Sequence, residues 1–178
     1  MLSIKKAENA QTLESIATLA AEIWQEHFTP ILAPGQVAYM LEKFQSAAAI
    51  TRQTQQEGYT YYQLLQDERP VGYFAVKEEE NYLFLSKLYL HKSCRGKGYA
   101  SLAMEKIRQL CKSSGLDKIR LTVNRHNTAT IEVYRHFGFR IYKEYATDIG
   151  GGYVMDDYFM ELDISNGKAE EKHEGIQS

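Results

Sequence analysis

One stretch constrains the fold more than any other. A strand-like run, YLFLSKLYLH (82–91), is followed by the loop SCRGKGYASLA (93–103). Apolar residues then recur at helical spacing, at Ala103, Ile107, Leu110 and Cys111, and Gly115 ends that pattern. A second strand-like run, KIRLTVN (118–124), comes next. Strands joined through a helix are predicted to be parallel neighbours with a right-handed crossover. The chain is thereby committed to a sheet covered by helices.

The flanking sequence supplies the rest. Leu13, Ile16, Ala17, Ala20, Ile23 and Trp24 predict a first helix over about 10–26. Pro34 suits an early helical position, and Val37, Met40, Leu41, Phe44 and Ala48 continue a second apolar face up to Gly58. YTYYQLLQ (59–66) and VGYFAVKE (71–78) are aromatic and β-branched, and DERP and EEN separate them from each other and from 82–91. That texture predicts an antiparallel meander. Asn127 is placed as the N-cap of a further helix, with Thr130, Val133, Tyr134 and Phe137 along one side and Gly138 at its end. Two strands, 139–147 and 153–162, join around Gly150-Gly151-Gly152. The predicted order is ααβββαβαββ: an α/β chain with a mixed, mostly antiparallel sheet and helices on both faces. Residues 1–164 read as a single domain and 165–178 as a polar, disordered tail.

Composition narrows the function classes. The chain has 178 residues, 44% of them apolar and 25% charged, with a net charge of −2. Such a balance gives no bulk attraction to nucleic acid or an acidic membrane. No apolar run approaches the ~18 residues of a membrane span, and the N-terminus MLSIKKAENAQ lacks a signal-peptide core. Cys94 and Cys111 are too few for a disulfide framework, so a cytoplasmic protein is expected. His27, His91, His126, His136 and His173 show no metal-ligand spacing, and no metal is expected. The thirteen tyrosines are expected mainly on half-exposed strand faces.

The loop itself carries the strongest chemical signal. Gly96 and Gly98 leave the backbone bare where a helix begins, and Arg95 and Lys97 add positive charge. A helix N-terminus offers unpaired N–H groups and a dipole that favours anions, so the segment reads as an anion nest. A phosphate-binding GxxxxGK[ST] loop is absent. Gly96-x-Gly98-x-x-Ser101 lacks the third glycine of a dinucleotide fingerprint. A plain glycine-rich turn is the alternative. The residues that follow lend weight to the nest: Arg95-Gly96-Lys97-Gly98-Tyr99-Ala100, then LTVN (121–124), Asn127, Tyr134 and Gly138-Phe139. In this order the chain resembles the GNAT superfamily of acetyl-CoA-dependent N-acetyltransferases, across about residues 3–163.

The resemblance implies acetyl-CoA as co-substrate. Its pyrophosphate would lie on the amides of Arg95, Gly96, Lys97, Gly98, Tyr99, Ala100 and Ser101. The strands 82–91 and 118–124 would splay, with the pantetheine arm bonding main chain near Leu88, Tyr89 and Leu90. Asn127 would help hold the cofactor or the backbone, and Tyr134 would be the general acid that protonates the leaving thiolate. The family's frequent strand carboxylate is missing from Leu85–Leu90. Glu26 and His27, in IWQEHF, are therefore candidate bases, with a water chain as a further option. Asp156 and Asp157 are adjacent on a strand, so at most one faces any pocket, where it would hold a cationic amine. Trp24, Phe28, Tyr61 and Tyr62 are candidates for the acceptor cavity. A small amine or polyamine leads as acceptor. A protein N-terminus or lysine, and a non-catalytic acyl-CoA sensor, are alternatives; neither nucleic acid nor membrane is an expected partner, and a homodimer is admitted.

Overall fold

A computed structural model describes residues 1–33 and 35–165. The expected tail from 165 onward lies, apart from Ser165, outside the described residues, as does Pro34. The elements are β1 (Leu2–Lys6), α1 (Ala10–Phe28), α2 (Gln36–Met40), a π-helical turn (Leu41–Gln45), α3 (Ala47–Gln56), β2 (Tyr59–Gln66), β3 (Arg69–Glu78), β4 (Leu83–Leu90), α4 (Tyr99–Ser113), β5 (Lys118–Asn124), α5 (Thr128–His136), β6 (Arg140–Gly150) and β7 (Tyr153–Asp163). In hydrogen-bonding order the strands run β1-β2-β3-β4-β5-β7-β6. The pairings are antiparallel in β1–β2, β2–β3, β5–β7 and β6–β7, and parallel in β4–β5. The parallel register holds Leu83↔Ile119 and Phe84↔Arg120. This is the mixed α/β architecture that the β-loop-α-β stretch requires.

Three details differ from the sequence reading. β1 was not expected: LSIKK is too short to show alternation, yet it pairs with β2 from Leu2↔Gln66 to Lys6↔Tyr62. The second helix is broken into α2, a π-helical turn and α3. Ser46 makes the break: its backbone is extended, and its hydroxyl accepts from the Ala49 N–H at 3.1 Å as the N-cap of α3. Finally, α5 buries Ile131 and Tyr134, whereas Val133 is 46% exposed. Of the stripe read as Thr130, Val133, Tyr134 and Phe137, Tyr134 is thus buried as expected, while Ile131 takes the inward position in place of Val133.

The chain divides into two compact units, one of residues 1–77 with 85–106, the other of 78–84 with the residues from 107 onward. In the first, strand alternation sends Tyr61, Gln63 and Tyr73 toward the helices and Tyr62 and Phe74 the other way. Gln63 Nε2 donates to Ser15 Oγ of α1 at 2.9 Å, while Tyr62 and Phe74 stack at 4.8 Å. Ile16, Ala20 and Ile23 of α1 and Ile50 of α3 complete this core. Each such Ile contributes about 1.5–3 kcal/mol by burial. Asn9 caps α1 by accepting from the Thr12 N–H at 2.8 Å. In the second unit Ile119, Leu121 and Val123 of β5 point inward, beside Met160 and Leu162 of β7, and Ile107, Cys111, Ile131 and Phe139 are buried with them.

Candidate active site

The loop after β4 leads from a strand into a helix, as the sequence predicts. A 3-10 turn, Lys92–Cys94, buries Cys94, and the chain then passes through Arg95, Gly96, Lys97 and Gly98 into α4. Gly96 has φ +76° and Gly98 φ +81°. Side chains rarely adopt that left-handed conformation, so the backbone itself demands glycine. A Cβ at either position would meet no protein atom within 4 Å, so the room above the loop is open. The Leu102 N–H bonds Gly98 O at 3.2 Å as α4 begins. The N–H groups before it are the ones a helix N-terminus leaves for an outside acceptor. Arg95, Lys97 and Ser101 are exposed, and Tyr99 and Ala100 half-buried. Positive charge, left-handed glycines and an open helix N-terminus are the features that suit an anion.

Of the aromatic candidates of the first unit, Trp24 and Phe28 come together, Tyr61 bonds Gln45 and Gln53 in the core, and Tyr62 stacks on Phe74 on the opposite face of the sheet. Trp24 lies 5.2 Å from Phe28 and 5.4 Å from Tyr89, centroid to centroid. His27 lies 4.8 Å from Phe28 and 6.4 Å from Tyr89. Tyr89 also meets Tyr73 at 5.8 Å. Glu26 stands apart from this group, exposed on α1. Leu88, Tyr89 and Leu90 are half-buried at the end of β4. The main chain there is approached closely by β3, because Gly72 has no side chain. A Cβ at Gly72 would come within 2.6 Å of Tyr89 O and 2.7 Å of Leu90 Cδ2.

Behind that cluster runs a buried polar chain that the sequence reading missed. Trp24 Nε1 donates to the Tyr73 hydroxyl at 2.9 Å, and that hydroxyl donates to Gln45 Oε1 at 2.7 Å. Gln45 Nε2 donates to the Tyr61 hydroxyl at 3.2 Å, which donates to Gln53 Oε1 at 2.5 Å. Far from lying on half-exposed faces, Tyr61 and Tyr73 are fully buried. Desolvation holds both phenols well above the usual range, so they remain donors. Gln45 reaches them because it ends the π-helical turn, whose wider winding re-aims the side chain. Lys87 of β4 also enters this region. Its ammonium lies 5.5 Å from the Tyr59 ring and 5.8 Å from that of Tyr61, and desolvation lowers it to about 8, opposed by Glu57.

The second unit holds the remaining candidates. Tyr134 of α5 is buried, with its ring 5.5 Å from Phe139 in an edge contact. Burial alone raises its phenol, which stays protonated across the physiological range. Asn127 occupies the N-cap position of α5, as expected, yet its side chain does not cap that helix. It is 5% exposed, and its backbone N–H donates to Asn124 O at 3.0 Å. The two aspartates of β7 separate as strand alternation requires. Asp156 pairs with Arg125 Nε at 3.1 Å, and Arg125 also lies 3.5 Å from Glu144. Asp157 is 7% exposed. Burial first, and then Asp156, push its carboxyl up to about 6.

Among the described residues no helix is long and apolar enough to cross a membrane, and no group of three or more His, Cys, Asp or Glu is arranged to hold a metal ion.

The family model described as Acetyltransferase (GNAT) family matches residues 17–139. Uncharacterized N-acetyltransferases of Mycobacterium bovis and Mycobacterium tuberculosis are each 26% identical over 129 residues, covering 72% of this chain and 83% of theirs. Among solved structures, the PaiA N-acetyltransferase of Thermoplasma acidophilum in complex with coenzyme A superposes with a TM-score of 0.76 at 21% identity, covering 92% of this chain and 99% of that one. The ribosomal-protein-S18-alanine N-acetyltransferase of Escherichia coli superposes with a TM-score of 0.64 at 18% identity, covering 92% and 94%.

Proposed function

Because the chain belongs to the GNAT acetyltransferase family, we propose that it moves the acetyl group of acetyl-CoA onto a primary amine by direct attack, with a small amine or polyamine as acceptor. The observation that carries this reading is the left-handed Gly96 and Gly98 turn leading into the open N-terminus of α4. Its amides, with Arg95 and Lys97, suit the coenzyme's pyrophosphate, and Tyr99, Ala100 and Ser101 continue the cradle into the first turn of the helix. The coenzyme A bound to the Thermoplasma protein supports the same assignment here. In this reading the pantetheine arm bonds the main chain of Leu88, Tyr89 and Leu90, and Asn127 helps hold the cofactor or the backbone.

The chemistry has two proton problems. An ordinary ammonium has a pKa of ~10.4, so presenting the neutral amine at pH 7 costs about 4–5 kcal/mol. The leaving thiolate must also regain a proton. Tyr134 answers the second as general acid: its phenol is buried and held in the protonated form. The rings of Trp24, Phe28 and Tyr89, with His27 at their edge, offer a wall of aromatic faces for a cationic acceptor. We place the reaction in the cytoplasm.

The test is thiol release on mixing the purified protein with acetyl-CoA and a panel of primary alkylamines and polyamines. Release that depends on the amine supports the proposal. Coenzyme A binding with no release across the panel favours an acyl-CoA sensor, and absence of coenzyme A binding refutes the assignment of the loop.

A further inference from the structure

We propose that Tyr73 and Gln45 are positioning residues for the acceptor: through the Trp24 indole they fix the Tyr89 ring that a cationic amine meets. This rests on the acetyltransferase reading above, in which those aromatic faces receive the acceptor, and adds what holds them in place.

Tyr89 is the half-buried centre of the cluster. Around its ring stand Trp24 at 5.4 Å, Tyr73 at 5.8 Å, Phe28 at 6.0 Å and His27 at 6.4 Å. Trp24, Phe28 and Tyr73 are buried, so a solute meets Tyr89 and, at its edge, His27, while the other three rings stand behind. All five residues belong to the first compact unit. A cation is attracted to a ring when it lies over the face, within about 6 Å of the centroid. A ring held in one orientation offers that face without an ordering cost, and a ring free to tilt does not.

The support behind Tyr89 is a hydrogen-bond chain whose direction is forced. An indole N–H can only donate, and a phenol has a single proton. Trp24 Nε1 donates to the Tyr73 hydroxyl at 2.9 Å, so the Tyr73 proton goes onward, to Gln45 Oε1 at 2.7 Å. That fixes the Gln45 amide. Its nitrogen faces the other way and donates to the Tyr61 hydroxyl at 3.2 Å and to the Phe44 carbonyl. The Tyr61 proton passes to Gln53 Oε1, and Gln53 Nε2 closes on the same Phe44 carbonyl at 2.8 Å. Turning the Gln45 amide over would set its oxygen against that carbonyl.

A core built for stability alone has no need of such a chain, because buried polar groups cost free energy until each is paired. Paired throughout, they make a rigid network with one arrangement. This one starts on a carbonyl of the π-helical turn, an irregularity frequent at functional sites, and ends on the edge of the indole that packs against Tyr89.

Trp24 is the chain's single tryptophan, so fluorescence reads this ring alone. The experiment compares wild type, Tyr73→Phe, Gln45→Leu and, as a control for lost core packing, Ile50→Val. Tetramethylammonium, which cannot react, is titrated against Trp24 fluorescence, and ethylamine and acetyl-CoA are each varied in thiol-release kinetics. Tyr73→Phe keeps the ring and removes the hydroxyl. It is expected to shift the Trp24 emission, to weaken tetramethylammonium binding and raise the ethylamine KM by about three- to tenfold, and to keep kcat and the acetyl-CoA KM within about twofold. Gln45→Leu should change the same quantities in the same direction, and decides the matter if Tyr73→Phe does not fold. Ile50→Val should leave both KM values and the emission as they are. A shifted emission with unchanged tetramethylammonium affinity and ethylamine KM, an equal rise in the acetyl-CoA KM, or the same rise in Ile50→Val would overturn the positioning role while leaving the acetyltransferase reading standing. Failure of the wild type to release thiol with any amine of the panel would remove that reading, and this inference with it.

Discussion

A buried carboxyl without a partner, Asp157, should weaken the fold that carries it, and the size of that effect follows from the structure. Burial raises the Asp157 carboxyl from 3.8 to about 6. Between those values the folded protein holds a proton that the unfolded chain has released. Stability therefore falls as pH rises from about 4 to about 6 and stays lower above that window. Some two units at about 1.36 kcal/mol each give a cost near 3 kcal/mol at pH 7 and above. Asp157→Asn keeps the shape and removes the charge. It should be more stable than wild type by about 2–3 kcal/mol at pH 8 and equal to it at pH 4. For a chain of this length that is a rise in Tm of roughly 6–10 °C at the higher pH. The assay is urea unfolding of both proteins at intervals from pH 4 to 8, read as the difference between them, so that every other carboxylate cancels. A difference that stays flat across the window, or a variant less stable at pH 8, would refute the reasoning.

Three further outcomes follow. Tyr134→Phe should lower kcat about a hundredfold with coenzyme A affinity and stability kept, since no hydrogen bond contributes to the state of its hydroxyl; unchanged turnover in steady-state kinetics would reject the acid role. Gly98→Val forces a branched residue into φ +81° at a cost of about 1–2 kcal/mol and should abolish calorimetric binding of coenzyme A; normal affinity in a folded variant would move the pyrophosphate elsewhere. Gln45→Leu leaves the buried Tyr73 hydroxyl without its acceptor and should destabilise by about 2–3 kcal/mol; chemical denaturation within error of wild type would show that the buried chain is not needed.

The sequence carried the parts of this protein that local rules govern. The β-loop-α-β stretch announced its parallel pair, and Gly96 and Gly98 announced a turn leading into a helix, because left-handed turns and helix N-termini depend on a few adjacent residues. The candidates Trp24, His27 and Phe28 were readable as one helix end, and they do meet. What they meet, Tyr89, was placed only with the cofactor. Gln45, Gln53 and Tyr73 stayed hidden for another reason: a π-helical turn has no sequence signature of its own, and glutamines in a helical pattern read as solvent-facing. Asp156 and Asp157 were recognised as pointing apart, but which of them lost contact with water depended on Arg125 and on the strands to either side. Those are tertiary facts, and no spacing encodes them.

Gly72 has a further consequence. The carbonyl of Tyr89 sits where it does because β3 presents nothing at that point but a hydrogen atom. If a thioester lies along β4 as proposed, its reach is governed by this close approach of the neighbouring strand. Selection for new acceptors can then act from behind: one methyl group at residue 72 would displace the landing edge without touching any group that reacts.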